Sequence, residues 1–141
     1  MITVADIIRA VSVQLRALGY PVKDVDIAKE IPRPCLVIEG EELKSSSLTH
    51  FLQEETNSLV VYYFAQRRET GYAELLRLKN DLQIILLEPL KIAEGFYITA
   101  DELEAEVNKS DMVLSVRFET YMVQEVHLES EEETEELEWR D

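Results

Sequence analysis

Glu102, Glu104 and Glu106 recur at every second position. On an extended backbone that spacing sets three carboxylates on one face of a strand. Such oxygen donors suit hard divalent cations, including the paired metals of hydrolases. No lysine or histidine at a catalytic spacing accompanies them, so the three read as a solvated strand face. Asp24 and Asp26 share a face in the same way, and read as solvated edge carboxylates. His50 and His127 stand far apart, and neither belongs to an HxxxH or HxxE arrangement. Cys35 lies inside the apolar run Cys35-Leu-Val-Ile38 with no nearby base, which makes it a small core residue rather than a nucleophile. The serines form no GxSxG elbow, and the four glycines form neither a GxGxxG nor a GxxxxGK loop. No residue is assigned to catalysis, to a cofactor or to a metal, and the chain reads as non-enzymatic.

The elements around these residues are more legible. Ser58-Leu-Val-Val-Tyr-Tyr-Phe-Ala65 holds seven consecutive apolar or aromatic residues. Without polar alternation, that run predicts a strand covered on both faces. Thr3 can cap a helix with Asp6 three residues on. Val4, Ile7, Ile8, Val11, Leu15 and Leu18 then recur at helical spacing, and Gly19 with Pro21 ends the run. A second helix is predicted from Thr70 to Pro89, with Tyr72, Leu75, Leu78, Leu82 and Ile85 as its stripe. Glu74, Arg77, Asn80 and Asp81 fall on its opposite side.

Between Gly40 and Asn57 the sequence fits either two outer arms of a long hairpin or a mobile loop with Ser45–Ser47 at its tip. Loops of that length inside a compact domain usually carry function or are disordered. Here His50 reads as exposed and Phe51 as partly buried. Val22–Ile27 fits a short edge strand. Phe96–Thr99 begins a strand that kinks near Ala100 and runs to Val107, and Asn108–Asp111 is a turn. Then Met112, Leu114, Val116, Phe118 and Met122 alternate with Ser115, Arg117 and Glu119, the pattern of a half-buried strand.

The fold class expected is α+β: a mostly antiparallel sheet of four to six strands, with two main helices packed mainly on one face. Residues 1–127 read as one domain and 128–141 as an acidic, flexible tail. In that tail Leu137 and Trp139 either anchor a partner or simply dangle in solvent. Of the net charge of −15, residues 129–141 supply −7 and the body −8. A body so acidic does not bind nucleic acid through its general field. No apolar run reaches the 18 or so residues a membrane span needs. Residues 1–6 show no basic region before an apolar stretch, so no signal peptide is expected. One cysteine among 141 residues fits a reducing compartment.

Three blocks together resemble a known family. Ile2-Thr-Val-Ala-Asp-Ile-Ile-Arg9 with Ile31-Pro-Arg-Pro-Cys-Leu-Val-Ile38, then Asn57-Ser-Leu-Val-Val-Tyr-Tyr-Phe64 with the helix through Leu75–Leu87, then Met112-Val-Leu-Ser-Val-Arg-Phe-Glu-Thr-Tyr121, are similar to the tail terminator (tail completion) proteins of long-tailed bacteriophages and prophages. The resemblance covers most of residues 2–123 and leaves the acidic tail outside it. It implies a structural protein that forms a ring, commonly a hexamer. That ring stops polymerisation of the tail tube and offers a docking face to the head. It implies self-association, contact with the tail-tube protein and the head–tail connector, and residence in the virion tail after assembly in the host cytoplasm. Sequence-specific binding of nucleic acid and membrane association are not implied. Glu102, Glu104 and Glu106, with Lys44, His50, Phe51 and Glu54, become candidates for lining the ring or touching the tube. The alternatives left open are a minor tail or head–tail connector protein, and an intracellular adaptor whose acidic tail binds a basic partner.

Overall fold

The computed structural model describes residues 2–23, 32–67 and 69–125. Its first element is α1, Val4–Ala17, and the reason it starts there is visible. The Thr3 hydroxyl accepts from the Asp6 amide and the Asp6 carboxylate accepts from the Thr3 amide, a complete capping box. Gly19 adopts a φ of +94° beyond the C-cap Leu18, a left-handed turn that a side chain disfavours. Ile7, Val11 and Leu15 form the buried stripe.

Residues 40–57, open to two readings in the sequence, are the outer arms of a hairpin. The strands β1 (Cys35–Ser47) and β2 (Leu52–Phe64) pair antiparallel from Cys35↔Phe64 out to Ser47↔Gln53. The reversal occupies residues 48–51, not the serines. One irregularity, between Gly40 and Glu42, bulges β1 at Glu41. After α2 (Tyr72–Leu86) come β3 (Leu90–Ala93), β4 (Phe96–Ile98), β5 (Leu103–Asn108) and β6 (Val113–Glu125). The four-stranded sheet has the order β1-β2-β6-β5, with every pairing antiparallel. A second sheet pairs β3 with β4. The architecture is α+β as expected, but the continuous kinked strand from Phe96 to Val107 is two strands in two different sheets.

The core lies between the sheet and the helices. Leu36 from β1, Leu59, Val61 and Tyr63 from β2, and Leu114, Val116, Phe118 and Met122 from β6 face it. Leu75, Leu78, Leu82 and Leu86 from α2 close it together with α1. Each such side chain, moved out of water, contributes about 1.5 to 3 kcal/mol of gross stabilisation. The alternation read in β6 is therefore the register that the sheet uses. At the far end, the Gln124 side chain accepts from the Ile2 amide at 2.7 Å and donates to the Ile2 carbonyl at 2.9 Å, fastening the chain's beginning to the last strand.

Four local expectations change. β2 is covered by helices on one face only, so Tyr62 and Phe64 are half-buried on the other. α2 begins at Tyr72, capped by Gly71 without a side-chain bond, rather than at Thr70. Glu74 and Asp81 do not lie on a wet side of α2. They accept hydrogen bonds from the Tyr63 and Tyr20 hydroxyls, whose rings meet edge to face at 5.8 Å. Of the edge strand expected over Val22–Ile27, Val22 forms an isolated parallel bridge with Leu36, and Asp24 and Asp26 lie outside the described residues.

Candidate functional site

Side chains alternate across a strand, so the register fixes what the helix-free face of the sheet carries. β2 contributes Glu54, Thr56, Ser58, Val60, Tyr62 and Phe64. Beside them β6 contributes Ser115, Arg117, Glu119, Tyr121 and Val123. β1 adds Glu39, Glu42 and Lys44, and β5 adds Glu104 and Glu106. The result is an acidic floor with few cations.

Arg117 organises its centre. Its Nε and Nη2 donate to the two carboxylate oxygens of Glu41 at 2.6 and 3.0 Å, the bidentate geometry that makes an arginine–carboxylate pair directional. Its Nη1 lies 4.0 Å from Glu104 on the other side. Glu41 is the bulged residue of β1. The strap Glu41–Arg117–Glu104 therefore crosses all four strands, passing the register position of Val60, which is 1% exposed. Hydrogen bonding from Arg117 holds the Glu41 carboxyl below the usual carboxylate range, and the same bond raises Arg117. Cations this fully engaged are not free to grip a phosphate backbone.

The strap divides the face into two shallow cavities. One, of about 400 Å³, is lined by Thr56, Ser58, Glu102, Glu104, Glu119 and Tyr121. The other, of about 540 Å³, is lined by Tyr62, Phe64, Glu106, Val113 and Ser115. Above the first, the Tyr121 hydroxyl donates to Glu54 at 3.1 Å, and that hydrogen bond raises the Tyr121 phenol.

The sequence-predicted residues therefore largely converge. Glu104 and Glu106 stand on β5, Glu102 just ahead of it, and Lys44 and Glu54 on the same face. Lys44 lies 4.0 Å from Glu42. His50 and Phe51 do not join them. They sit in the hairpin reversal with their rings edge to face at 5.6 Å, and Phe51 is 57% exposed rather than partly buried. His127, Leu137 and Trp139 lie outside the described residues, as does the acidic segment 128–141. Burial pushes the Cys35 thiol up, away from thiolate chemistry. Among the described residues no group of three His, Cys, Asp or Glu is disposed to hold a metal ion, and no helix is long and apolar enough to cross a membrane.

Arg117 and Glu41 were the residues that sequence reading missed. They are separated by 76 positions, and only the bulge at Glu41 brings them together. The one signal available was Arg117 itself, a lone cation in an otherwise neutral or acidic alternate row.

A family model described as phage tail terminator protein matches residues 6–133. The chain matches no curated protein.

Proposed function

We propose that this chain, which belongs to the phage tail terminator family, closes the end of the tail tube as a ring and presents its other side to the head–tail connector. The observation that carries the reading is a family match spanning nearly the whole folded body. It is supported by the acidic, helix-free sheet face. In the ring this face, with Glu102, Glu104 and Glu106, lines the passage for DNA. Repulsion between carboxylates and phosphates keeps the duplex from sticking as it moves. Among the described residues of this face the cations, Arg117 and Lys44, are paired with Glu41 and Glu42. The hairpin reversal with His50 and Phe51 is suited to touching the tube protein. The role is structural, carried out in the virion tail after assembly in the host cytoplasm, and it needs no cofactor.

The test replaces the three glutamates together, Glu102→Lys, Glu104→Lys and Glu106→Lys, in a phage that depends on this protein. The yield of DNA-filled particles should fall at least tenfold while tails of normal length still form. Unchanged yield with unchanged ring formation removes the lining role. Tails of normal length in the complete absence of the chain remove the capping role.

A further inference from the structure

The four-stranded sheet is not the same width along its length. β5 pairs with β6 only as far as Leu103↔Phe118, so beyond Phe118 the outer edge of β6 has no backbone partner among the described residues. On the opposite side, β1 is the terminal strand, and past the Val22↔Leu36 bridge its outer edge likewise has none among them. Residues 40–51 are exposed throughout, Leu43 at 55%. An arm that buries so little, yet is held in regular pairing, is poorly stabilised alone. Open edges of this kind are templates for another strand.

The two edges are also level. Glu42 pairs with Ser58, which pairs with Glu119. Lys44 pairs with Thr56, which pairs with Tyr121. Ser46 pairs with Glu54, which pairs with Val123. β1 and β6 both run antiparallel to β2, so they run parallel to each other. A rotation about an axis along the strands, with no shift along it, therefore brings residues 42–47 of one copy beside residues 119–125 of the next at matching height, while residues 35–40, whose level beside β6 is already taken by β5, turn away at the Glu41 bulge. That is the condition for a closed ring built from a heterologous contact.

We infer that the chain associates with itself by pairing the outer edge of β1, residues 42–47, with the outer edge of β6, residues 119–125, of the neighbouring copy in parallel. The inference rests on the ring reading above and supplies the interface. The acidic face stays continuous across the junction, because residues of equal height on both edges point to the same side. Lys44 of the incoming arm reaches Glu119 on the diagonal, offsetting the approach of Glu42 to that carboxylate. Leu43, level with Asn57 and Thr120 in its own copy, arrives on the helix side of the neighbour's β6, next to Thr120 and Met122.

Paired cysteines test this directly. Ser46 and Val123 both stand opposite Glu54. Within one copy they are two strand spacings apart, about 9.5 Å, beyond the reach of a disulfide, about 7 Å between Cα atoms. Across the proposed junction they are neighbours. The full chain carrying Ser46→Cys and Val123→Cys should, on mild oxidation, give a ladder of covalent multimers that ends at the closed ring, with each single variant giving none. Cys35 is buried and stays silent. Light scattering on the same samples before oxidation gives the mass. A ring mass without the ladder overturns the edge pairing and leaves the ring reading intact. A dimer from Ser46→Cys alone means two β1 edges meet, and overturns it too. A monomer at every concentration also overturns the pairing, the edges then serving another occupant such as the tube protein, while the capping role stands or falls on tail length.

Discussion

Gly71, the N-cap of α2, sits tightly against the segments that follow β2 and precede β6. A Cβ built there lies 2.5 Å from the Ala65 Cβ, 2.6 Å from the Arg67 carbonyl oxygen and 2.8 Å from the Met112 Cγ. Its backbone, with φ −81° and ψ −6°, is open to any residue, so Gly71→Ala isolates the steric question. Restricting the unfolded chain favours alanine by about 0.4 to 1 kcal/mol. Overpacking against backbone and a fully buried alanine opposes it by about 1 to 3 kcal/mol. The clash should win, leaving a net loss of about 1.3 kcal/mol at the middle of the two ranges. With a urea slope of about 2 kcal/mol/M, that moves the midpoint down by roughly 0.5 to 1 M at unchanged slope. Ala65→Gly removes the nearest obstacle, so the double variant should recover part of the loss and the cycle should show coupling. A Gly71→Ala protein as stable as the parent would show that α2 slides freely on its bed, and the close-approach argument would be wrong.

Two further outcomes follow from contacts already described. Gln124→Leu should destabilise by about 1 to 3 kcal/mol, because it strands the Ile2 amide and carbonyl without their partners. Urea unfolding measures that, and backbone hydrogen exchange at residues 2–4 should quicken. Tyr20 and Tyr63 have phenols raised well above the ordinary value by burial and by hydrogen bonds to Asp81 and Glu74. A group raised on folding contributes stability that is whole below its unfolded value, about 10, and is lost as pH climbs toward the folded one. Stability should therefore decline above about pH 10, and Tyr63→Phe should flatten that decline. An identical alkaline profile in the variant refutes the assignment.

What the sequence revealed depended on the range of the interaction. The Thr3–Asp6 box and the helix it starts are local and were legible, as was the alternation of β6, because a half-buried strand writes its register in every second residue. The extent of the hairpin was not legible, since Ser45–Ser47 and Leu48–Phe51 suit a reversal equally well by composition. Glu74 and Asp81 were placed on the wrong side of α2. Helical spacing alone cannot know that hydroxyls arrive from Tyr63 and Tyr20. The candidate face followed the same rule. Glu104 and Glu106 were visible as a pair, whereas their link to Arg117 and Glu41 needed a bulge in a strand far upstream.

The position of β6 has a consequence for how this molecule is made. It is the last strand of the described chain, yet it lies inside the sheet between β2 and β5. During synthesis the β1–β2 hairpin and α2 emerge first. The β2 edge from Leu52 to Phe64 then waits for its partner, Val113 to Glu125. At bacterial elongation rates, about 5 to 20 residues per second, the wait between the ends of the two strands is about 3 to 12 s. For that interval a nascent chain displays an unsatisfied β edge and the apolar row of Leu59, Val61 and Tyr63. A ribosome that pauses before residue 113 lengthens that exposure, and a message that ends early releases a chain whose β2 edge never receives its partner.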